Sequence, residues 1–209
     1  MKIYHFKYLA IVFLFIAYSS FCQERQLITS PGLYHSFQWI PADGNAPSMT
    51  PQLWFYHKNL YFETRFNYEY SNTTTILGGY SHKNRDSTVE NILMGGITIG
   101  DTAAFILSDN IILNKAHYNL ESDNEWVRPV KYGNNQFFYD WTKLTFNTKC
   151  AFISPGISAQ VKLFNTPFIY LGPMLKLKLH ENLGIDLFGY YDFTNKQPVW
   201  SMALDFESK

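Results

Sequence analysis

Beyond its first 22 residues the chain has a single cysteine, Cys150. No intramolecular disulfide can form there, and a lone thiol is no metal site. Neither sign of charge dominates, since 17 Lys and Arg balance 17 Asp and Glu. Binding of nucleic acid or of an anionic surface by bulk charge is therefore excluded. After the N-terminus no apolar run is long enough for a spanning helix. Low-complexity tracts, Pro/Ser linkers and clean internal repeats are also missing. The histidines are scattered, and neither a phosphate-cradling Gly-rich loop nor a paired-carboxylate hydrolase site is present, so no cofactor or metal is expected.

What is present begins with MKIYHFKYLAIVFLFIAYSSFCQ. Lys2 and Lys7 form a basic n-region, an apolar stretch follows to Tyr18, and Ser20 and Cys22 stand at the small-residue positions of a cleavage site. The pattern predicts a secretory signal peptide over 1–22 and a mature domain over 23–209. Acylation of Cys22 is the competing reading, opposed by the bulky Phe21 before it. Aromatic content is the other positive feature, 18% of residues, with 15 Tyr and 18 Phe. An exported chain of this kind, with no helical span, enters a membrane only as a closed barrel.

From about Tyr34 onward, runs rich in Val, Ile, Tyr, Phe and Thr alternate with short polar turns, the all-β pattern. They predict an antiparallel transmembrane β-barrel of about 12 strands (10–12), near 33–40, 50–57, 60–71, 73–82, 88–99, 103–109, 111–121, 136–147, 151–163, 167–179, 183–193 and 198–206. Strands 73–82 and 88–99 alternate poorly, and Gly78, Gly79, Gly95 and Gly96 are candidates for tight bends. Residues 121–135, ESDNEWVRPVKYGNN, read as one long polar loop. An even strand count puts both ends in the periplasm and this loop outside the cell.

The stretch YFETRFNYEY, 61–70, poses the question of which face points out. Phe62, Phe66, Tyr68 and Tyr70 share one parity; Glu63, Arg65, Asn67 and Glu69 share the other. A soluble periplasmic barrel or sandwich would bury the aromatics, whereas a membrane barrel turns them to lipid. Along the strands, aromatics gather toward both ends with Leu, Ile and Val between, which predicts two interfacial belts. The expected girdle is Trp54, Tyr56, Phe62, Tyr68, Tyr70, Tyr139, Trp141, Tyr191, Trp200 and Phe206. The opposite parity supplies the lumen and selectivity candidates Glu63, Arg65, Glu69, Asp140, Lys162, Lys176, Lys178, Asp186, Asp192 and Asp205. This assignment turns Lys143 toward lipid, where a mid-plane lysine costs about 2–4 kcal/mol, so a bulge or a near-interface depth is required there.

The stretches NLYFETRFNYEYSNTTTILGGY, FFYDWTKLTF and VWSMALDF resemble an uncharacterised family of small outer-membrane β-barrel proteins of Gram-negative bacteria. Arg65, Asn67, Tyr68, Glu69, Gly79, Tyr80, Tyr139 and Trp141 carry the likeness. The resemblance implies the fold and an outer-membrane location, and no activity. The terminal aromatic usual in such barrels stands here as Phe206, three residues before the end.

Three functions follow as expectations. A small porin-like passive channel would use the lumen charges to set ion preference. A closed, plugged barrel would pair those charges across the lumen and serve as a structural or binding module through loop 121–135. A lipid hydrolase would need a nucleophile and a base together. Ser81 and His82 adjoin, but neighbours on a strand point to opposite faces, so no enzyme is expected. The expected partners are outer-membrane lipid and the barrel-assembly machinery, with no nucleic acid, and the expected state is a monomer.

Overall fold

The computed structural model describes residues 29–39, 48–130, 136–150, 152–164 and 166–207. The expected signal peptide and the new N-terminus at Gln23 lie outside the described residues. No described helix is long and apolar enough to cross a membrane.

Twelve strands follow in chain order: β1 Thr29–Trp39, β2 Ser48–His57, β3 Leu60–Phe66, β4 Thr73–Lys83, β5 Val89–Gly100, β6 Ala104–Asn114, β7 Tyr118–Pro129, β8 Phe137–Phe146, β9 Ile153–Phe164, β10 Phe168–His180, β11 Leu183–Asp192 and β12 Gln197–Glu207. Each pairs with its sequence neighbours, and β1 closes the ring against β12, antiparallel from Gly32↔Glu207 to Trp39↔Trp200. Closure leaves no edge strand with unpaired backbone groups, the condition for crossing hydrocarbon with strands. Strands of ten or more residues, tilted, span a bilayer.

Burial settles which face is out. Leu93 (61% exposed), Leu107 (59%), Phe105 (57%) and Trp200 (53%) point outward, while Arg65 (2%) and Glu125 (1%) are enclosed. A soluble protein sorts these residue types the other way round. The outer wall is apolar and the lumen is charged, as in a membrane barrel. Phe62, Tyr191 and Phe206 also face outward.

Several boundaries differ from those read in the sequence. β6 runs on to Asn114 and β7 begins at Tyr118, so the turn falls at 115–117, where Lys115 N–H bonds the Tyr118 carbonyl at 2.9 Å. Most of the supposed loop 121–135 is therefore strand, because Glu121 through Val127 pair in register with Lys143 through Phe137. Of the connection that remains, residues 131–135 lie outside the described residues. β3 stops at Phe66, since Asn67 takes a left-handed φ of 56° and its Oδ1 accepts the Asn72 amide at 2.6 Å.

β4 and β5 are unbroken, and the four glycines divide by face. Gly78 and Gly95 sit opposite one another on the outer wall. Gly79 and Gly96 face inward, where a Cβ on Gly96 would overlap the Ile76 carbonyl and the Leu77 side chain. A wall so curved admits nothing larger than hydrogen there. Gly96→Val is expected to abolish the folded, heat-modifiable band on cold gels. Gly95→Val, with only the Leu107 side chain and the Ile106 carbonyl near its Cβ, should keep it.

Candidate functional site: the barrel lumen

The turn 67–72 between β3 and β4 folds back over the lumen rather than extending the wall. Tyr70 meets Phe137 edge-on at 5.6 Å, and Tyr68 meets Tyr139 at 5.8 Å. Tyr139 in turn meets Phe168 on β10 at 6.3 Å, so a chain of rings crosses the interior. Edge-to-face geometry of this kind adds stability beyond the area buried.

Beneath the rings lies one cation among four carboxylates. Arg65 bonds Glu63 and Glu125, lies 3.5 Å from Asp123 and 3.8 Å from Glu69, and stacks 4.5 Å from the Tyr68 ring centre. Tyr61 donates to Glu63 at 2.7 Å, and Thr75 donates to Glu69. Burial of so many charges is tolerable only because each has a partner of opposite sign or a hydrogen-bond donor.

Toward the periplasmic mouth a second group spans β7, β8, β10, β11 and β12. Lys143 pairs with Glu121 at 2.8 Å and Lys176 with Asp205 at 3.1 Å. Asp186, on β11, stands opposite Lys176 in register. On the far wall, Trp141 donates to Ser158 Oγ at 3.1 Å and to the Tyr190 hydroxyl at 3.2 Å.

Two cavities lie in the lumen among the described residues. The larger, about 620 Å³, opens at the periplasmic turns and is lined by Glu63, Arg65, Glu121, Lys143, Lys176 and Lys178 among others. The smaller, about 170 Å³, lies on the outer side between Tyr68, Glu125, Phe137, Tyr139, Gln160 and Lys162. Trp141 lines both.

Several residues sit where the sequence did not place them. Tyr68, Tyr70, Tyr139 and Trp141 belong to the interior, not to the girdle. So do Trp54 and Tyr56, which line the larger cavity. In FFYDWTKLTF both parities carry aromatics, so alternation alone left the face of β8 undecided. Pairing of Lys143 with Glu121 on the inner face decides it, and the lipid-facing lysine is no longer a problem. The same inversion turns Asp140 outward, away from the lumen. Asp192 is enclosed but acts as a turn cap, accepting from the amides of Thr194 (2.8 Å) and Asn195 (3.1 Å) and from the Asn195 side chain. Glu63, Arg65, Glu69, Lys162, Lys176, Lys178, Asp186 and Asp205 lie on the inner face, with Lys178 exposed at the mouth. Sequence reasoning missed Glu121, Asp123 and Glu125. Their shared parity was a signal, masked because Ser122 and Asn124 make the other parity polar too.

Ser81 and His82 take opposite faces of β4. Ser81 is buried and donates to Glu90 at 2.5 Å, while His82 is exposed, so they form no nucleophile–base pair.

Comparison with solved structures places this architecture. The KdgM porin in complex with disordered oligogalacturonate superimposes with a TM-score of 0.59 at 13% identity, over 86% of this chain and 99% of that one. The chain has the fold of the small outer-membrane porins. A second KdgM porin structure gives 0.60 at 10% identity, covering 85% and 99% of the two chains. The NanC porin gives 0.55 at 6% identity, covering 84% and 98%. No family model matches the chain, and no curated protein does.

Proposed function

We propose that the protein is an outer-membrane passive channel whose path narrows at a waist formed by Arg65, Tyr68, Tyr139 and Trp141. The observation that carries this reading is axial: two lumen cavities, one open to the periplasmic side, share Trp141 in their linings. At the waist one guanidinium stands among Glu63, Glu69, Asp123 and Glu125, which gives the narrowest part of the path an excess of negative charge. Carboxylate-rich constrictions favour cations. Small cations and small neutral polar solutes are therefore the preferred permeants, and an anionic oligosaccharide like the one bound to KdgM is disfavoured. The chemistry is transport without catalysis.

Planar-bilayer recording of the refolded protein tests this. Discrete steps with a reversal potential shifted toward the cation equilibrium are expected in a salt gradient. A properly refolded barrel that remains silent overturns the channel reading. At the periplasmic mouth, Lys176→Glu removes the partner of Asp205 and adds a carboxylate. It should move the reversal potential further toward cations, and an unchanged potential would place Lys176 outside the conducting path.

One observation favours a second reading. The waist is packed ring against ring, so the barrel at rest suits a closed, structural module. Silence in the bilayer, together with unchanged folding, would select it.

A further inference from the structure

Among the described residues the outer wall is mostly apolar, and its acids gather in one place. Of the described strand carboxylates, only Asp109 on β6 and Asp140 on β8 face outward, and both lie near the middle of their strands. Between them on β7 stand Ser122 and Asn124, and beside Asp140 on β8 stands Thr142. In register, Asp109 is opposite Asn124, Asn124 opposite Asp140, and Ser122 opposite Thr142, so the five form one continuous patch. Ser122 donates to Asp140 at 3.1 Å, Thr142 to Ser122 at 3.1 Å, and Asn124 to Ser122 at 3.2 Å. One oxygen of Asp109, Oδ1, is shielded from solvent and meets no donor among the described residues.

Hydrophobic side chains of the same outward parity frame the patch. Phe105, Leu107, Trp126 and Phe138 lie on its outer side, and Leu120 and Leu144 on its inner side. Its depth is therefore that of the hydrocarbon, where water cannot solvate a carboxylate and lipid offers no donor. Sheets that carry charge on a lipid-facing wall are destabilised unless something covers it.

We infer that the β6–β8 wall is the contact surface for a second copy of this chain, the two barrels meeting about a twofold axis along the membrane normal. A twofold contact brings a patch against itself, so it must hold donors and acceptors together. This one does: Asn124 keeps a second amide hydrogen as donor beyond the one it gives Ser122, and its own carbonyl oxygen and the Asp109 and Asp140 carboxylates supply acceptors. The surrounding Leu, Phe and Trp side chains give the contact an apolar rim. The inference replaces the expected monomer, and it does not depend on whether the lumen conducts.

Two measurements test it. Light scattering of the refolded protein in mild detergent should give twice the protein mass of one chain. The double variant Asp109→Leu/Asp140→Leu should give the single mass and keep its heat-modifiable band. In bilayers, with Cys150→Ser as background, Ser122→Cys should cross-link to a dimer on oxidation. Met202→Cys, on the outward face of β12, should not. A dimer that survives the double leucine change overturns the inference. So does cross-linking at Ser122→Cys no greater than at Met202→Cys, which would leave the patch facing lipid or another protein. Cross-linking confined to Ser122→Cys upholds it even where detergent has separated the copies.

Discussion

Arg65→Leu is expected to lower the stability of the refolded barrel by about 3–5 kcal/mol, the usual cost of removing one partner from a buried charge cluster. Among the described residues Arg65 is the cation that bonds Glu63 and Glu125 and pairs with Asp123 and Glu69. Without it four carboxylates repel one another at low local dielectric, and three of them, Glu63, Glu69 and Glu125, are almost fully enclosed. Urea titration followed by tryptophan fluorescence and by cold-gel mobility would measure the loss. Adding Glu63→Gln and Glu125→Gln to the same variant should restore part of it, because the repulsion falls while the hydrogen-bonding shapes remain. An unchanged unfolding midpoint for Arg65→Leu would mean that water reaches the cluster freely, and the waist would have to be placed elsewhere. Arg65→Glu adds a fifth acid in the same space and should refold worse than Arg65→Leu. A selectivity change is thus better sought at Lys176, where the charge stands in a wide part of the path.

Trp141→Ala carries the largest expected effect on conduction. Its indole is the one side chain shared by the two cavities, held by hydrogen bonds to Ser158 and Tyr190 and by contact with Phe188 at a ring separation of 5.7 Å. Truncation is expected to open a passage between the cavities of about 620 and about 170 Å³. Single-channel steps should become several-fold larger, and the cation preference should weaken as ions pass farther from the acids. Stability should fall as well, by up to about 3–5 kcal/mol for a buried Trp cut to Ala, though less where the new space fills with water. Trp141→Phe is the control: it keeps an aromatic ring there but loses both hydrogen bonds, so folding should weaken with little gain in conductance. If Trp141→Ala refolds and its steps match those of the parent, permeant ions do not pass this residue.

Strand number, closure and the meaning of alternation were legible in the sequence wherever one parity was apolar and the other polar. In YFETRF, ISAQVKL and WSMALDF the faces are unambiguous, because a slip of one residue would put every charge into lipid. The polar Glu63 and Arg65 therefore had only one place to go. Where both parities carry the same kind of residue, alternation has no information. FFYDWTKLTF has rings on both faces, and ESDNEWV has polar groups on both, so β8 was turned inside out and most of β7 was taken for a loop.

The sequence by itself determined an exported all-β chain of about a dozen strands, with acids and bases kept on one side of a closed wall. That much follows from local chemistry, since each strand must present one face to hydrocarbon and every backbone group must find a partner. Only the tertiary structure decided what the lumen contains. Tyr68 and Glu69 reach the interior because Asn67 takes a left-handed conformation and ends β3 early, and Glu125 reaches Arg65 across 60 residues of chain. Such meetings depend on ring closure and cross-strand register, which no window along the chain records. The polar patch on the outer wall has the same origin: Asp109, Asn124 and Asp140 are unremarkable apart and become one surface only when β6, β7 and β8 lie side by side.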